Sequence, residues 1–327
     1  MAHCLIVQPI HRVGLDRLAS AGIEPRLASA ANMAVVEREI VDAIAVITRN
    51  AGLNRAAMAA GRRLLVLGVH GAGVDPVDTS YAAEIGLPVV NTPGANAQSV
   101  AELAVGLMLA VARRLSAADR AVRQADIEFR YRYRFSELSG KTIGIVGFGE
   151  IGRAVASIAR AAFAMRVLVY SPSIDEAMIA QAGAEKCPEL EDLLMRADVV
   201  SLHSTYRRGM RPLLDRDRIS RLKSTAILVN TARGGLIDEP ALAEALRSGA
   251  IAGAGLDVLA TEHPASDHPL MDLDNVVLSP HMGGSTEEAL SRTAIAVVDQ
   301  VLDALAGRRP PNLLNPAVWP RRRQPAD

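Results

Sequence analysis

The stretch Lys141-Thr-Ile-Gly-Ile-Val-Gly-Phe-Gly-Glu-Ile-Gly-Arg153 constrains the fold more than any other part of this chain. Thr142–Val146 reads as a short apolar strand. Gly147, Gly149 and Gly152 complete a G-x-G-x-x-G, and residues 153–163 carry the alanine-rich pattern of a buried helix. Strand, glycine turn and helix in that order are the context a dinucleotide fingerprint requires. Gly147 allows the tight turn, Gly149 lets the backbone approach a pyrophosphate, and Gly152 lets the helix sit close on the strand. The helix start then offers unpaired N–H groups and the positive end of its dipole to phosphates. In a chain with 25 glycines the motif alone is weak, and a glycine turn that merely packs a helix on a sheet is the plainer alternative. Its setting makes a nucleotide-binding Rossmann unit the expectation.

The rest of the chain alternates apolar runs with helical patterns. Strands are expected at residues 4–7, 43–48, 64–69 and 87–91, and helices at 13–21 and 74–85. Ser99-Val-Ala-Glu102 reads as a capping box opening a very apolar helix to about Leu115. A charged stretch over 120–134 precedes the fingerprint. Further strands are expected near 166–170, 198–203, 226–230, 253–257 and 276–278. Asp238 is expected to cap a helix ending at Ser248-Gly249, and 286–305 to form a long amphipathic helix. Repeated strand–helix units argue for parallel α/β sheets. The expected organisation is two α/β domains, one inserted in the other. Residues 99–287 form the nucleotide domain, and 1–98 with 288–327 form a substrate domain. The default place for a substrate is a cleft between them.

Composition removes several function classes. Lys plus Arg and Asp plus Glu are 36 each, so no net field favours nucleic acid. Arg321-Arg322-Arg323 lies in a Pro-rich tail and reads as a solvated end. The two cysteines, Cys4 and Cys187, have no metal-site spacing and make no disulfide framework. They read as small packing residues of a protein in a reducing cytosol. No His/Asp/Glu cluster suggests a metal. Residues 1–10 lack the marks of a signal peptide. The apolar run over 100–111 is too short for a bilayer and contains Glu102. A cytoplasmic protein without membrane or nucleic-acid partners is expected.

Open α/β sheets bind ligands at the carboxyl ends of their strands. Thr231-Ala-Arg233-Gly-Gly235, then Asp257 and the loop to Glu262, then Ser279-Pro-His281-Met-Gly-Gly284 follow three successive expected strands. An arginine fork can grip a carboxylate, a histidine can exchange a proton, and a nearby carboxylate can hold the imidazolium. That is a kit for reducing a 2-oxo acid. At these residues the chain resembles the D-isomer-specific 2-hydroxyacid dehydrogenase family, within it the 3-phosphoglycerate dehydrogenase-like group. The resemblance is carried by the segments 89–103, 141–153, 229–238, 255–258 and 279–286, and covers nearly the whole chain.

The resemblance implies two flavodoxin/Rossmann-like domains with the split order above, and a homodimer or homotetramer in contact through the nucleotide domains. It implies that Arg233 binds the substrate carboxylate and carbonyl, that His281 is the general acid/base, and that Glu262 pairs with His281. It places Gly147, Gly149, Glu150, Ile151, Gly152, Ser171, Thr231, Asp257 and Val100 around the cofactor, with Asp257 on the nicotinamide amide and Ser99 beside Val100. Gly71, Ala72 and Gly73 would contact substrate, Gly71 and Gly73 through backbone N–H groups. Arg49 would supply a cation for the substrate tail, with a structural ion pair as the equal alternative.

Ser171 departs from the pattern. An acidic residue is usual there for the ribose hydroxyls. Serine does not repel a 2′-phosphate, so NADP stays open. NAD is favoured because no arginine follows Ser171 directly, although Arg207 and Arg208 could reach the adenosine end. His203-Ser-Thr-Tyr206 also lacks the usual proline-containing turn. The substrate stays open among phosphoglycerate, hydroxypyruvate, glyoxylate and other small acids. An NAD-gated corepressor-like binding protein is the alternative of a different class, and no serine-sensing C-terminal domain is expected.

Overall fold

The computed structural model describes residues 2–207, 209–261 and 264–324. Glu262, His263 and Arg208 lie outside them. The chain divides into two compact units, Met1–Asn96 with Gly284–Asp327, and Ala97–Gly283. Each is built on one parallel sheet whose central strands are short apolar runs buried on both faces, as parallel pairing demands.

In the first unit β1 (His3–Ile6), β2 (Glu24–Leu27), β3 (Ala45–Thr48), β4 (Val66–Val69) and β5 (Val89–Val90) lie in the order β2-β1-β3-β4-β5. This is the flavodoxin-like order. The helix Glu287–Leu305, whose first turn Thr286 caps at 3.2 Å, lays Ala294, Val297, Val298 and Val301 against Ile6, Ile47, Val66 and Val90. Gly68 makes room for it, since a Cβ there would lie 2.7 Å from Val297 Cγ2. The following segment returns across the same unit. Leu313 bridges Val90, and the Asn315 side chain bonds Val89 N and Leu87 O at 3.0 and 2.9 Å.

The arginine run near 322 is not a solvated end. Arg323 donates to the Ile85 and Gly61 carbonyls, each at 3.0 Å, and Arg322 stacks on Trp319 at 4.1 Å. Ile85 and Gly61 end two helices, and basic side chains satisfy the carbonyls that helix ends leave over.

In the second unit β6 (Thr142–Val146), β7 (Arg166–Tyr170), β8 (Glu185–Lys186), β9 (Val199–Leu202), β10 (Ile227–Asn230), β11 (Gly253–Leu256) and β12 (Val276–Leu278) run β12-β11-β10-β9-β6-β7-β8. This is the Rossmann order with one strand added, and its direction reverses between β6 and β9. Tyr170, Val146, Leu202, Asn230, Leu256 and Leu278 stand in one row across the sheet.

Three local readings are corrected. The helix expected over 74–85 spans Thr79–Glu84, because Asp78 caps it by accepting from Tyr81 N at 2.9 Å. Ser99 is no cap: the helix spans Ala97–Ala112, and the Ser99 hydroxyl donates to Gly283 O at 2.5 Å. The charged stretch contains two helices, Leu115–Arg123 and Phe129–Arg132. No helix among the described residues is long and apolar enough to cross a membrane.

Candidate active site

The residues that follow the aligned row are Ser171, Gly147, His203, Thr231, Asp257 and Ser279. Register alone therefore brings six strand ends to one edge of the second unit, each about 4.8 Å from the next.

At β6 the glycines act by what they leave out. Gly147 has φ +94°, and a Cβ on it would lie 2.5 Å from the His203 carbonyl, which closes the switch point. A Cβ on Gly152 would meet Gly147 O at 2.2 Å, so the helix Glu150–Phe163 rests directly on the turn. A Cβ on Gly149 would meet nothing within 4 Å, so this stretch of backbone is open to a ligand. Side chains cap the helices that begin after His11, Asn32, Asn54, Asp78, Asp215, Asp238 and Thr286. None caps the helix that begins after Gly149, nor those that begin after Arg114, Glu128, Asp175 and Glu189. Glu150 points outward toward Arg153 at 3.7 Å, and Ile151 is half-buried.

Thr231 is 8% exposed, and its hydroxyl oxygen has no partner. Buried polar atoms are nearly always paired, so a missing partner is implied. An open glycine backbone, an uncapped helix start and an orphan hydroxyl on one sheet edge together fit a dinucleotide. Ser171 is buried at the end of β7, where the ribose hydroxyls would lie.

Arg233 is held by a neighbour that sequence reading passed over. Asn230, fully buried, accepts from Ala232 N at 2.9 Å and donates to Arg233 O at 2.8 Å. This Asx turn fixes the loop. A Cβ on Gly234 would lie 1.9 Å from Leu259 C, so the residue after the arginine must be glycine. The half-buried guanidinium donates to Ala232 O at 2.7 Å.

Asp257 holds the histidine loop. It is 2% exposed and accepts from Ser279 Oγ at 2.6 Å, Met282 N at 2.9 Å and Gly283 N at 2.9 Å, while its carbonyl accepts His281 N at 2.8 Å. The nicotinamide amide expected on Asp257 is left only the acceptor capacity that remains on Oδ2. His281 takes φ +53°, a left-handed conformation that non-glycine residues adopt only when their surroundings impose it. Val100, 5% exposed, packs under Gly283.

His203 lies beside the switch point. Its Nε2 is 2.8 Å from Ser201 Oγ, its Nδ1 has no partner, and burial pushes the imidazole down to about 3. The ring is neutral when folded and takes a proton on unfolding below about pH 6.5. Between pH 6.5 and 3 the unfolded state binds more protons, so stability falls as pH falls. Thermal melts from pH 7 to 5 should show a declining Tm, and His203→Gln should flatten the decline. An identical slope in the variant would assign the acid sensitivity to other groups.

The substrate residues expected in the first unit lie at the carboxyl edge of its own sheet. Arg49 follows β3, is half-buried, and donates to Pro9 O at 2.9 Å; no carboxylate among the described residues pairs with it. Gly71 does not offer a free N–H. It donates to Thr92 Oγ1 at 2.9 Å and Val69 O at 3.0 Å, because the turn after β4 needs it. The N–H groups of Ala72 and Gly73 donate to no backbone carbonyl among the described residues. A cavity of about 390 Å³ lies elsewhere, at the amino edge of this sheet, lined by Ile44, Arg62–Leu65 and Arg323.

Residues 105–283 match the family model described as "D-isomer specific 2-hydroxyacid dehydrogenase, NAD binding domain". The chain belongs to the D-isomer-specific 2-hydroxyacid dehydrogenase family. Within this family it is similar to D-3-phosphoglycerate dehydrogenase of Methanocaldococcus jannaschii, 38% identical over 316 residues, covering 96% of this chain and 60% of that protein. The chain thus spans about 60% of the length of that curated relative. It is also similar to hydroxypyruvate reductase of Thermotoga maritima, 41% identical over 248 residues, covering 75% of this chain and 79% of that protein. Among solved structures, the TT0316 protein of Thermus thermophilus aligns with TM-score 0.84 at 35% identity, covering 95% of this chain and 99% of that one.

Proposed function

We propose that this chain is an NAD(P)-dependent D-2-hydroxyacid dehydrogenase, interconverting a small 2-oxo acid and its (R)-2-hydroxy acid. The observation that carries the reading is the pair of restraints at adjacent strand ends. Asn230 fixes the loop of Arg233, and Asp257 fixes the loop of His281. A chain spends buried polar groups on two loops in this way when their side chains must be preorganised.

Arg233 takes the substrate carboxylate and the carbonyl oxygen through its planar fork. His281 donates the proton that the carbonyl oxygen gains on reduction, and accepts it on oxidation. Glu262 holds the imidazolium. A bound nicotinamide supplies or accepts the hydride. Gly147 to Gly152 and the helix start hold the pyrophosphate, with Thr231, Val100 and the remaining Asp257 oxygen capacity near the nicotinamide. Arg49, Ala72 and Gly73 contact the rest of the substrate.

A panel of 2-oxo acids run separately with NADH and NADPH tests this reading; absence of turnover throughout would refute it and favour a binding module. NADH is expected to be preferred. Ser171→Asp should strengthen that preference, since a carboxylate there accepts from both ribose hydroxyls but repels a 2′-phosphate. A wild type strongly preferring NADPH would overturn the NAD assignment and direct attention to Arg207 and Arg208.

A homodimer or homotetramer in contact through the nucleotide unit is consistent with the exposed Val122, Ile127 and Tyr131, which are 76%, 74% and 68% exposed, and sedimentation as a monomer would contradict it. Two buried, unpaired cysteines support a cytoplasmic location.

A further inference from the structure

The cavity of about 390 Å³ in the first unit opens at the amino edge of the five-stranded sheet, beside the starts of β3 and β4. Arg62, Arg63 and Arg323 line it, and no carboxylate side chain among the described residues does. In a chain with 36 cationic and 36 anionic side chains, three guanidinium groups around one cavity are a local excess.

Two of the three are uncommitted. The side chains of Arg62 and Arg63 are exposed and make no hydrogen bond, ion pair or ring contact among the described residues. The Arg63 N–H donates to no backbone carbonyl among them either. Arg323 is half-buried and fixed, because its Nε and Nη1 donate to the Ile85 and Gly61 carbonyls, each at 3.0 Å. Those bonds leave Nη2 without a partner among the described residues. Burial disfavours the charge of Arg323, and no carboxylate offsets that cost. A charge withdrawn from water is normally paired. The first unit therefore holds one preset cation at the cavity and two more lining it.

Charge and size narrow the ligand. A single carboxylate carries one negative charge and leaves two guanidinium groups unmatched. A phosphate monoester carries about −1.5 to −2 at neutral pH and offers three acceptor oxygens, which arginine forks bind in pairs. The volume lies in the usual range of small-molecule sites, about 300–1,000 Å³. Ile44 and Leu65, both half-buried, line the same cavity and suit the carbon part of such a molecule. No aromatic residue among the described ones lines it, so nothing there stacks on a base.

We propose that this cavity binds the phosphate group of a small organic phosphate, held by Arg62, Arg63 and Arg323. The binding is separate from the reaction proposed above and does not depend on it. Ile44 and Arg49 stand at opposite ends of β3, roughly 16 Å apart along the strand. The bound phosphate ties the loop after the helix Arg55–Ala60 to the segment of Arg323, which stabilises the first unit by linkage.

The test is calorimetric titration of the NADH-saturated protein with glycerol 3-phosphate and, separately, with inorganic phosphate. NADH fills the glycine cradle, the other place for a phosphate. Glycerol 3-phosphate should bind, and Arg62→Gln/Arg63→Gln should weaken it about tenfold or more, as for loss of charged hydrogen bonds. Both side chains are exposed and unpaired, so this variant should melt with the wild type. Arg323 is left in place because it satisfies two helix ends. Arg38→Gln/Arg309→Gln removes the same charge from exposed positions outside the cavity and should bind as the wild type does. So should Arg233→Ala, which removes the grip proposed for substrate. No binding to the wild type, or unchanged binding in the Arg62/Arg63 variant, overturns the proposal. So does equal weakening in the Arg38/Arg309 variant, which would mean net charge alone. Loss of binding in Arg233→Ala overturns it too, by assigning the ligand to the substrate residues. Inorganic phosphate binding as tightly as glycerol 3-phosphate overturns the part given to Ile44 and Leu65 and identifies the free anion as the ligand.

Discussion

Replacing His281 by alanine is expected to lower kcat by about 10²–10⁴, the usual contribution of a positioned proton donor. Cofactor affinity should change little, since the glycine cradle belongs to β6 and not to the histidine loop. The backbone complicates the reading, because His281 sits at φ +53° and alanine is strained there. Asparagine tolerates that conformation far better. His281→Asn therefore separates loss of the proton donor from loss of loop shape, and both variants should be nearly inactive while binding cofactor. Single-turnover reduction is the measurement that decides. A normal chemical step in either variant would sink the assignment of His281.

Arg233→Lys should be nearly as harmful as Arg233→Ala. Lysine preserves the charge but loses the planar pair of donors that matches a carboxylate. A fall in kcat/KM on the order of 10²-fold is expected for both, as for loss of a charged hydrogen bond. The Asn230 contacts reach only the backbone of Ala232 and Arg233, so the loop should keep its shape in both variants. Wild-type efficiency in the lysine variant would mean that the residue acts only as a field charge.

The central strands were readable because burial on both faces writes a continuous apolar run. The edges were not. β2 is Glu-Pro-Arg-Leu and β8 is Glu-Lys, both partly exposed, and edge strands use charge and proline to avoid further pairing. Ser99 misled because a serine three residues before a glutamate looks like a cap, whereas its hydroxyl is committed to Gly283, far along the chain. At the candidate site, the strand-end places of Arg233, Asp257 and His281 could be read from single residues following apolar runs. The hold of Asn230 and Asp257 on those loops could not, since it depends on which strands become neighbours.

The division of the chain has a consequence for how it is made. The nucleotide unit is continuous, Ala97–Gly283, so all of it has been synthesised when residue 283 emerges. The other unit is not. Its sheet is covered on one face by Ala294, Val297, Val298 and Val301, and two of its helix ends are satisfied by Arg323. On the ribosome its first 96 residues must wait, with Ile47, Val66 and Val90 uncovered, while 187 others are added. At translation speeds of about 5–20 residues per second, that interval lasts roughly ten seconds or more. The half made first is therefore the half completed last, and a chaperone that shields nascent apolar strands should find its target there.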